Sequence, residues 1–361
     1  MKKNTLALIL LLFILTINSY SQKQPVSINL TDKNSFSLVI YPDPQSYTKF
    51  DVNQPIFELM TAWTAHNTNK LNIKSVLCVG DLVEQNGILV TDSINGNQTS
   101  KEQWESVSKA FEKLDNTVSY ILCTGNHDYG YQSSEKRFTD FPTYFYPERN
   151  TKIQNQLVET FTNWEGYHTL ENAAYQITDN NWGKMLILSL EFAPRDEVLE
   201  WASQLVNSDK YKNHTTIILT HSYMDTKGEK IEKEGYALSD TSSNYGTSIW
   251  DKLIFQNPNI RLVICGHAAT AEQNFEKNVS FSVNKNTENK AVYQMMFNAQ
   301  TAGGGWSGNG GDGWLRLLEF LPDGKTIQVQ TFSPFFAISP TTAKHAFRTE
   351  SYDKFSFTIE K

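Results

Sequence analysis

The stretch SYILCTGNHD, residues 119–128, is the most informative part of the sequence for the fold, because a short apolar run is followed by a glycine and three residues that carry reactive groups. Such a run predicts a buried strand, and Gly125-Asn126-His127-Asp128 follow where that strand ends. An asparagine carbonyl can ligate a divalent ion, an adjacent histidine can donate or accept a proton, and Asp128 could orient or acidify that imidazole. In an open α/β sheet, ligands bind at the carboxyl ends of the strands. The stretch therefore predicts an α/β fold with a site at that edge of a sheet.

Four other segments repeat this arrangement of an apolar run followed by metal-binding groups. They are Asp43-Pro44-Gln45 after SLVIY, Gly80-Asp81 after VLCV, His221 after TIILT, and Gly266-His267 after LVIC. Each segment alone is weak, since a Gly-Asp pair commonly starts a turn and a single histidine can be a satisfied core residue. Together they predict that five sets of ligands gather at one edge. This pattern is typical of a polynuclear metal site that hydrolyses phosphate esters.

The first half of the chain alternates between predicted strands and helices, and the C-terminal part is rich in predicted strands. The strands are expected at about 35–41, 74–80, 118–123, 173–178, 184–190, 214–220, 260–265, 278–283, 291–297, 314–320 and 326–332, and helices near 55–70, 101–115, 195–207 and 247–256. This order predicts two packed sheets covered by helices. We expect residues 22–361 to form a single domain with an aromatic-rich insertion at about 129–168, which would form a cap beside the site.

The N-terminus has the pattern of a secretory signal peptide over residues 1–21. Lys2 and Lys3 precede an apolar run at 6–17, and Ser19 and Ser21 are the small residues before the expected cleavage site. The run is too short to span a bilayer, and an N-terminal core helix is the alternative. No later segment is apolar enough for a membrane span. We therefore expect an exported protein, periplasmic or secreted.

Charge and cysteine content narrow the function further. The formal net charge of −7 becomes about −9 without residues 1–21, and a strongly acidic protein repels polyanions, so nucleic acid is not an expected partner. Cys78, Cys123 and Cys265 lie inside apolar runs, and an odd, buried set does not indicate a disulfide framework. We expect small core residues, with thiolate ligation by Cys265 as the alternative.

The motifs taken in order resemble those of the calcineurin-like metallophosphoesterases, whose pattern is D-x-H, G-D-x-x, G-N-H-[DE], a lone H and G-H-x-H. The resemblance covers most of residues 36–270, and residues 293–294 and 313–320 resemble exported bacterial members. It implies a four-layer αββα sandwich of two mixed β-sheets flanked by helices, with a dinuclear metal site. In that site Asp43 would hold the first ion and Asp81 would bridge both ions. The second ion's shell would be completed by Asn126, His221 and His267, and His127 would be the acid near the leaving group.

The chain departs from the family pattern at two positions, and both concern the first ion. Gln45 replaces the usual histidine, although its carbonyl can still ligate, and Ala269 replaces the last histidine and cannot ligate. The first site is therefore expected to be weak, oxygen-rich and suited to manganese, magnesium or calcium. The second site keeps its ligands and is expected to prefer zinc, iron or manganese.

The expected function is that of an exported metal-dependent phosphoesterase. It would hydrolyse small phosphomonoesters or phosphodiesters by a metal-held hydroxide, with His127 as general acid. One alternative is a degenerate member that binds a phosphorylated or glycan ligand without turnover, as Gln45 and Ala269 suggest. Another is a metal-stabilised structural protein, in which His127 would have no role. The sequence does not identify the substrate and leaves the oligomeric state open.

Overall fold

Fourteen strands in two sheets form the centre of the part of the chain that the computed structural model describes, residues 26–92, 95–238, 242–271 and 274–360. The strands are β1 Phe36–Tyr41, β2 Ile73–Cys78, β3 Ser119–Leu122, β4 Leu157–Thr162, β5 His168–Asp179, β6 Gly183–Ser189, β7 Thr215–Leu219, β8 Ile260–Cys265, β9 Val279–Lys285, β10 Ala291–Phe297, β11 Leu315–Phe320, β12 Thr326–Phe332, β13 Phe347–Arg348 and β14 Phe355–Thr358. The signal peptide predicted at 1–21 lies outside the described residues.

Both sheets mix parallel and antiparallel pairs. The first has the order β13-β12-β11-β1-β2-β3, with β14 also paired to β12, and its parallel part is β1-β2-β3. The second has the order β4-β5-β6-β7-β8-β10-β9, and its parallel part is β6-β7-β8-β10. Parallel neighbours present their carboxyl ends at the same edge. The site motifs follow β1, β2 and β3 of the first sheet and β7 and β8 of the second, so the topology carries them to the carboxyl ends of the parallel strands in both sheets.

Eight α-helices are present among the described residues, three of them longer than two turns. The helices are α1 Gln45–Thr48, α2 Gln54–Asn67, α3 Ser100–Glu112, α4 Phe141–Tyr144, α5 Thr151–Gln156, α6 Asp196–Asn207, α7 Gly246–Ile249 and α8 Pro334–Ala337. Helix α3 begins with a capping box, in which Thr99 Oγ1 accepts from Glu102 N and Glu102 Oε2 accepts from Thr99 N. The helix predicted at 247–256 is α7 followed by one π-helical turn, Trp250–Ile254.

The residues of the second sheet alternate between two apolar cores. Ile217 and Leu262 contribute to the large core shared with the first sheet, whereas their neighbours Ile218 and Val263 pack against α6 on the other face. On the outer face of the first sheet, Phe57 of α2 and Phe111 of α3 belong to the large core. The layers are therefore helix, sheet, sheet, helix, and the predicted two-sheet α/β sandwich is confirmed.

The aromatic stretch 129–168 belongs largely to the body of the fold. Phe141 and Phe145 are buried in the large core, and β4 at 157–162 forms the edge of the second sheet. The prediction of a cap therefore holds at most for the first residues of the stretch, where Ser133 contacts Asn126. The domain boundaries stay a prediction.

Two further expectations concern cysteines and membranes. All three cysteines are free and buried, and Cys265 packs in the core beside α6. Burial raises the pKa of the Cys265 thiol, which disfavours thiolate ligation. Within the described ranges, none of the helices has the length and apolarity that crossing a membrane requires.

A candidate metal centre at the strand ends

The backbone at the strand ends is strained and closely packed, which fixes the side chains that follow. Asp81 and His267 both adopt left-handed backbone conformations, with φ of 50° and 70°, and such conformations in non-glycine residues concentrate at functional sites. Gly125 and Gly266 allow close approach, because a Cβ at either position would collide with the carboxylate of Asp81 or Asp43, respectively. The motif glycines therefore let backbone and carboxylates pack together at this edge.

Four side chains form a group that we call the histidine cluster: Asp81, Asn126, His221 and His267. Around His221 Nε2, Asn126 Oδ1 lies at 3.1 Å, and Asp81 Oδ2 and His267 Nδ1 each lie at 3.2 Å. Four ligands held at about 2.0–2.1 Å around a tetrahedral ion would be about 3.3–3.4 Å apart. The observed spacings are close to that value, so the cluster has the dimensions of a metal-ligand set.

The hydrogen bond of the His221 ring also indicates a cation at this place. His221 Nδ1 lies 2.7 Å from the carbonyl oxygen of Val79 and must donate to it. In the neutral imidazole Nε2 then carries a lone pair, and it faces the oxygens of Asp81 and Asn126, which also carry lone pairs. A buried set of acceptors without a donor is costly. A cation among them removes this cost, whereas a proton on Nε2 can serve only some of them.

The other two neutral ligands are oriented in the same way. Asn126 Nδ2 donates to Ser133 Oγ at 3.0 Å, which leaves Oδ1 directed at His221. His267 Nε2 lies 2.9 Å from the Glu234 carboxylate, which leaves Nδ1 as the atom that faces the cluster. Each ligand therefore presents an acceptor atom inward because its other polar atom is engaged outward.

Two oxygen donors, Asp43 and Gln45, form a group that we call the oxygen pair, and Asp43 contacts His267 of the histidine cluster. Asp43 Oδ2 accepts from His267 N at 3.1 Å and from Asn298 Nδ2 at 2.7 Å. Gln45 is buried, and its Oε1 has no hydrogen-bond partner among the described residues. An orphaned buried carbonyl two residues after Asp43 fits a metal ligand. Ala269 is half-buried and contributes no donor atom.

Electrostatics at the site follow from burial and from the mixture of acids and imidazoles. Burial raises the pKa of Asp43 well above its usual range. Burial also acts to raise the pKa of Asp81, but the imidazoles of His221 and His127 outweigh it and hold that pKa below its usual range. For His221, burial lowers the pKa, but Asp81 outweighs it and raises the pKa to about 9. In the absence of a cation, His221 therefore holds a proton at neutral pH.

His127 lies beside the cluster and differs from the ligands in its bonding. Its backbone N donates to Asp81 Oδ1 at 3.0 Å, and its Nδ1 lies 2.6 Å from the carbonyl oxygen of Glu84. Nδ1 must donate there, so Nε2 is the atom that can exchange a proton with a substrate. This placement fits an acid near the metal ligands.

Asp128 is bound to the backbone. Gly125 N donates to one carboxylate oxygen at 2.7 Å and Val83 N to the other at 3.1 Å, and burial raises its pKa to about 7. The partner of the His127 ring is the Glu84 carbonyl, so Asp128 supports the turn that carries Asn126 and His127. A direct catalytic role for Asp128 stays a prediction that these contacts do not favour.

The sequence motifs did not include Asn298 and Glu234, which contact two of the candidate ligands. Asn298 directly follows the apolar strand β10, so the rule that identified the other motifs would have found it. Glu234 lies in an irregular segment, and no sequence pattern marks it. Its carboxylate also accepts from Ser222 Oγ at 2.8 Å.

Comparison with known proteins gives one sequence family. The model described as calcineurin-like phosphoesterase matches residues 51–270. A Bacillus subtilis (strain 168) protein with the printed name "Uncharacterized protein YvnB" is 25% identical over 332 residues, which make up 91% of this chain and 22% of that protein. The chain thus spans about a fifth of the length of that relative.

Two solved structures show a weak similarity of fold. A purple acid phosphatase from yellow lupin (Lupinus luteus) seeds has a TM-score of 0.45 and 14% identity, over 91% of this chain and 54% of that one. A dimetal phosphatase from Danio rerio has a TM-score of 0.47 and 8% identity, over 90% of this chain and 99% of that one. The family assignment rests on the sequence match.

Proposed function

Since the chain belongs to the calcineurin-like phosphoesterase family, we propose that it is a metal-dependent hydrolase of small phosphomonoesters or phosphodiesters. The observation that carries the proposal is the convergence of acceptor atoms on His221 Nε2. Asp81, Asn126 and His267 each present an acceptor to it at 3.1–3.2 Å, and the Val79 carbonyl prevents the neutral ring from donating. A divalent cation resolves this arrangement.

The residues at the site fit one tightly held ion and one weaker ion. The histidine cluster would hold the tightly bound ion with two nitrogens and two oxygens, which suits zinc, iron or manganese. The oxygen pair would hold the weaker ion with help from a carboxylate, which suits manganese, magnesium or calcium. A bound divalent ion supplies Lewis-acid chemistry, since it polarises phosphoryl oxygens and makes water acidic near neutral pH.

The chain's own residues would supply the proton for the leaving group and hold the proton donor in place. His127 in its imidazolium form would donate from Nε2 to the leaving-group oxygen, while the Glu84 carbonyl holds its Nδ1. The backbone bond from His127 N to Asp81 keeps the acid in fixed register with the ligand set. The proton donor therefore lies in a fixed position relative to any substrate bound at the cluster.

Export belongs to the same proposal. The pattern of Lys2, Lys3, the apolar run 6–17 and Ser21 supports cleavage before Gln22. The test is the mass of the protein recovered from a secreting culture. A mature N-terminus at Gln22 is the expected result, and an intact N-terminus on cell-retained protein would reject export.

The activity is tested on purified protein with nitrophenyl phosphate and bis-nitrophenyl phosphate, before and after treatment with a chelator. We expect the chelator to remove hydrolysis and manganese or zinc to restore it, with metal analysis showing at least one ion per chain. The ratio of the two rates separates a monoesterase from a diesterase. Hydrolysis that is unchanged in metal-free protein would reject the proposal.

A second candidate is a protein that binds a phosphorylated or glycan ligand without turnover. Ala269 favours it, because the weaker ion then lacks an imidazole ligand and the paired-ion mechanism is compromised. This candidate is the better one if the protein binds the metal stoichiometrically yet hydrolyses neither nitrophenyl ester under any metal condition.

A further inference from the structure

We propose that Glu234 is a positioning residue that makes His267 a ligand through Nδ1 and raises the cation affinity of the histidine cluster. The inference rests on the proposed metal site, and it assigns to a loop residue a task that none of the sequence motifs contains. The observation that carries it is the distance of 2.9 Å between Glu234 Oε1 and His267 Nε2.

The geometry fixes the tautomer of the neutral His267 ring. A carboxylate accepts only, so His267 Nε2 must donate to Glu234. The other ring nitrogen, Nδ1, is then a lone pair, and it lies 3.2 Å from His221 Nε2. Without Glu234 the neutral ring can place its proton on either nitrogen, and the Nδ1–H form cannot bind a cation.

The same oxygen of Glu234 also contacts the residue that follows His221. Ser222 follows His221 directly, and its Oγ donates to Glu234 Oε1 at 2.8 Å. One carboxylate oxygen thus accepts from the turn of His221 and from the ring of His267. Both side chains of the pair are mostly buried, with 14% exposure for His267 and 18% for Glu234, and a charged hydrogen bond is stronger where water is excluded.

The charge of Glu234 matters in addition to its position. The outward partner of His221 is a neutral carbonyl, that of Val79, whereas the partner of His267 is a carboxylate. A negative acceptor increases the electron density on the imidazole and makes Nδ1 a better donor to a cation. Glu234 therefore compensates in part for the neutral amide ligand Asn126 in the same cluster.

The segment that carries Glu234 is held in place by bonds of its own. Ile231 N donates to the carbonyl of Tyr223, and Thr247 N donates to the carbonyl of Ile231. Further along, the Tyr236 ring lies 6.0 Å from the ring of His267 and 5.7 Å from that of Phe192. The segment is thus anchored on both sides of Glu234, and its contact with His267 is part of the packed structure.

The first experiment measures zinc and manganese affinity of the full chain by calorimetric titration after chelation. Glu234→Ala removes the acceptor, and we expect affinity for the tightest site to fall by about 10–100-fold, as is typical for an outer-shell partner of a metal-bound histidine. Glu234→Gln keeps a neutral acceptor and should lose less. The matched control is Glu232→Gln, an exposed glutamate two residues earlier, and it should bind like the natural protein.

The second experiment does not require a metal. Histidine-selective ¹⁵N spectra of the chelated protein report which ring nitrogen of each histidine carries the proton. We expect His267 to be protonated on Nε2 in the natural protein and to shift toward Nδ1–H in Glu234→Ala, while Glu234→Gln retains the natural form. These spectra and the thermal midpoint of the metal-free variant distinguish lost positioning from a general loss of structure.

The outcomes separate this inference from the proposed function. If the natural protein binds no cation, the proposed function fails, and the inference fails with it. If the natural protein binds a cation and Glu234→Ala binds it equally well, or if His267 keeps its proton on Nε2 in that variant, the inference alone is wrong. The inference is supported if cation affinity falls from the natural protein to Glu234→Gln and further to Glu234→Ala, while Glu232→Gln binds like the natural protein.

Discussion

The histidine cluster and the oxygen pair meet where the carboxyl ends of the two sheets adjoin, through the bond from His267 N to Asp43, yet their side chains are fixed in different ways. In the histidine cluster, the three neutral ligands each have a second polar atom fixed by a partner: Val79 for His221, Ser133 for Asn126 and Glu234 for His267. In the oxygen pair, Gln45 Oε1 has no partner among the described residues.

The orientation of the candidate ligands and the number of donor atoms are therefore separate properties of the site. Asp43 is held by the backbone of His267 and by the amide of Asn298, whereas Ala269 would leave an ion beside Asp43 short of one donor. Under the proposed assignment, the chain would preserve the frame of a two-ion site with a lower affinity in one half. We expect one tightly held ion and one exchangeable ion, and the following predictions test this asymmetry.

The largest effect is expected from Asp81→Asn, because Asp81 contacts both His221 and the backbone of His127. Loss of this charge should weaken the histidine cluster and reduce turnover by about 10⁴-fold, which corresponds to several kcal/mol of transition-state stabilisation. Metal analysis and turnover of nitrophenyl phosphate check it. Asp209→Asn, at an exposed aspartate, is the control. A variant with full metal content and near-natural turnover would show that Asp81 is not needed in the histidine cluster.

His127→Ala separates chemistry from binding. Since its ring bonds only to the Glu84 carbonyl among the described residues, metal content should be unchanged, while turnover of esters with poor leaving groups falls by about 10²–10⁴-fold. The loss should shrink for nitrophenolate, which leaves without a proton. His66→Ala, in an exposed position of α2, is the matched control. Loss of metal in the His127 variant would make His127 a ligand.

The sequence predicted most strands of this frame and located the candidate ligands after them for a physical reason. Strands such as β1 and β8 are buried along their whole length, so they appear as continuous apolar runs. The groups that follow them lie at the carboxyl ends of the two sheets, where His267 N contacts Asp43. The edge strand β4 is half-exposed and mixed in composition, and it was not predicted. Fully buried strands are therefore the elements of this fold that its sequence predicts.

The contacts of the orienting groups could not be predicted, because they join distant parts of the chain. This holds even for Asn298, although its position directly after β10 follows the motif rule. Asn298 reaches Asp43 across 255 positions, and Glu234 reaches His267 from a segment without regular structure. The Val79 and Glu84 contacts use backbone carbonyls, which every residue has, so no side-chain pattern reveals them. Ligands can be found from their local sequence, whereas their partners require the fold.

Cation affinity of the histidine cluster should depend strongly on pH. His221 has a pKa of about 9 in the cation-free protein, and a cation binds only after that proton leaves. Below pH 9 the protonated form dominates, so affinity should rise about tenfold per pH unit, or about 100-fold from pH 6 to pH 8. Zinc titrations with a non-coordinating buffer measure it. Affinity that is flat over this range would show that His221 is neutral without the cation.

Asn298→Ala tests the frame of the oxygen pair. The amide donates to Asp43 Oδ2 and to the carbonyl of His267, so its removal should free Asp43 and weaken the exchangeable ion by about 10–100-fold. The tight ion should be retained. Manganese titration of zinc-loaded protein measures the exchangeable site, with Asn213→Ala at an exposed position as control. Equal weakening of both ions would mean that Asn298 supports the whole edge rather than one half.

The smallest and most specific effect is expected from Ala269→His, which restores the donor that the oxygen pair lacks. Residue 269 is half-buried and lies two positions after His267, whose backbone N donates to Asp43, so we expect an imidazole there to reach toward Asp43. The gain should be modest, up to about tenfold in affinity or about 1.4 kcal/mol, because the new ring must adopt one rotamer in an irregular turn. Gln45→His in the same chain should add to it. If the natural protein already holds two ions tightly and neither substitution changes them, a group outside the five motifs completes the shell, and the asymmetry between the two halves does not exist.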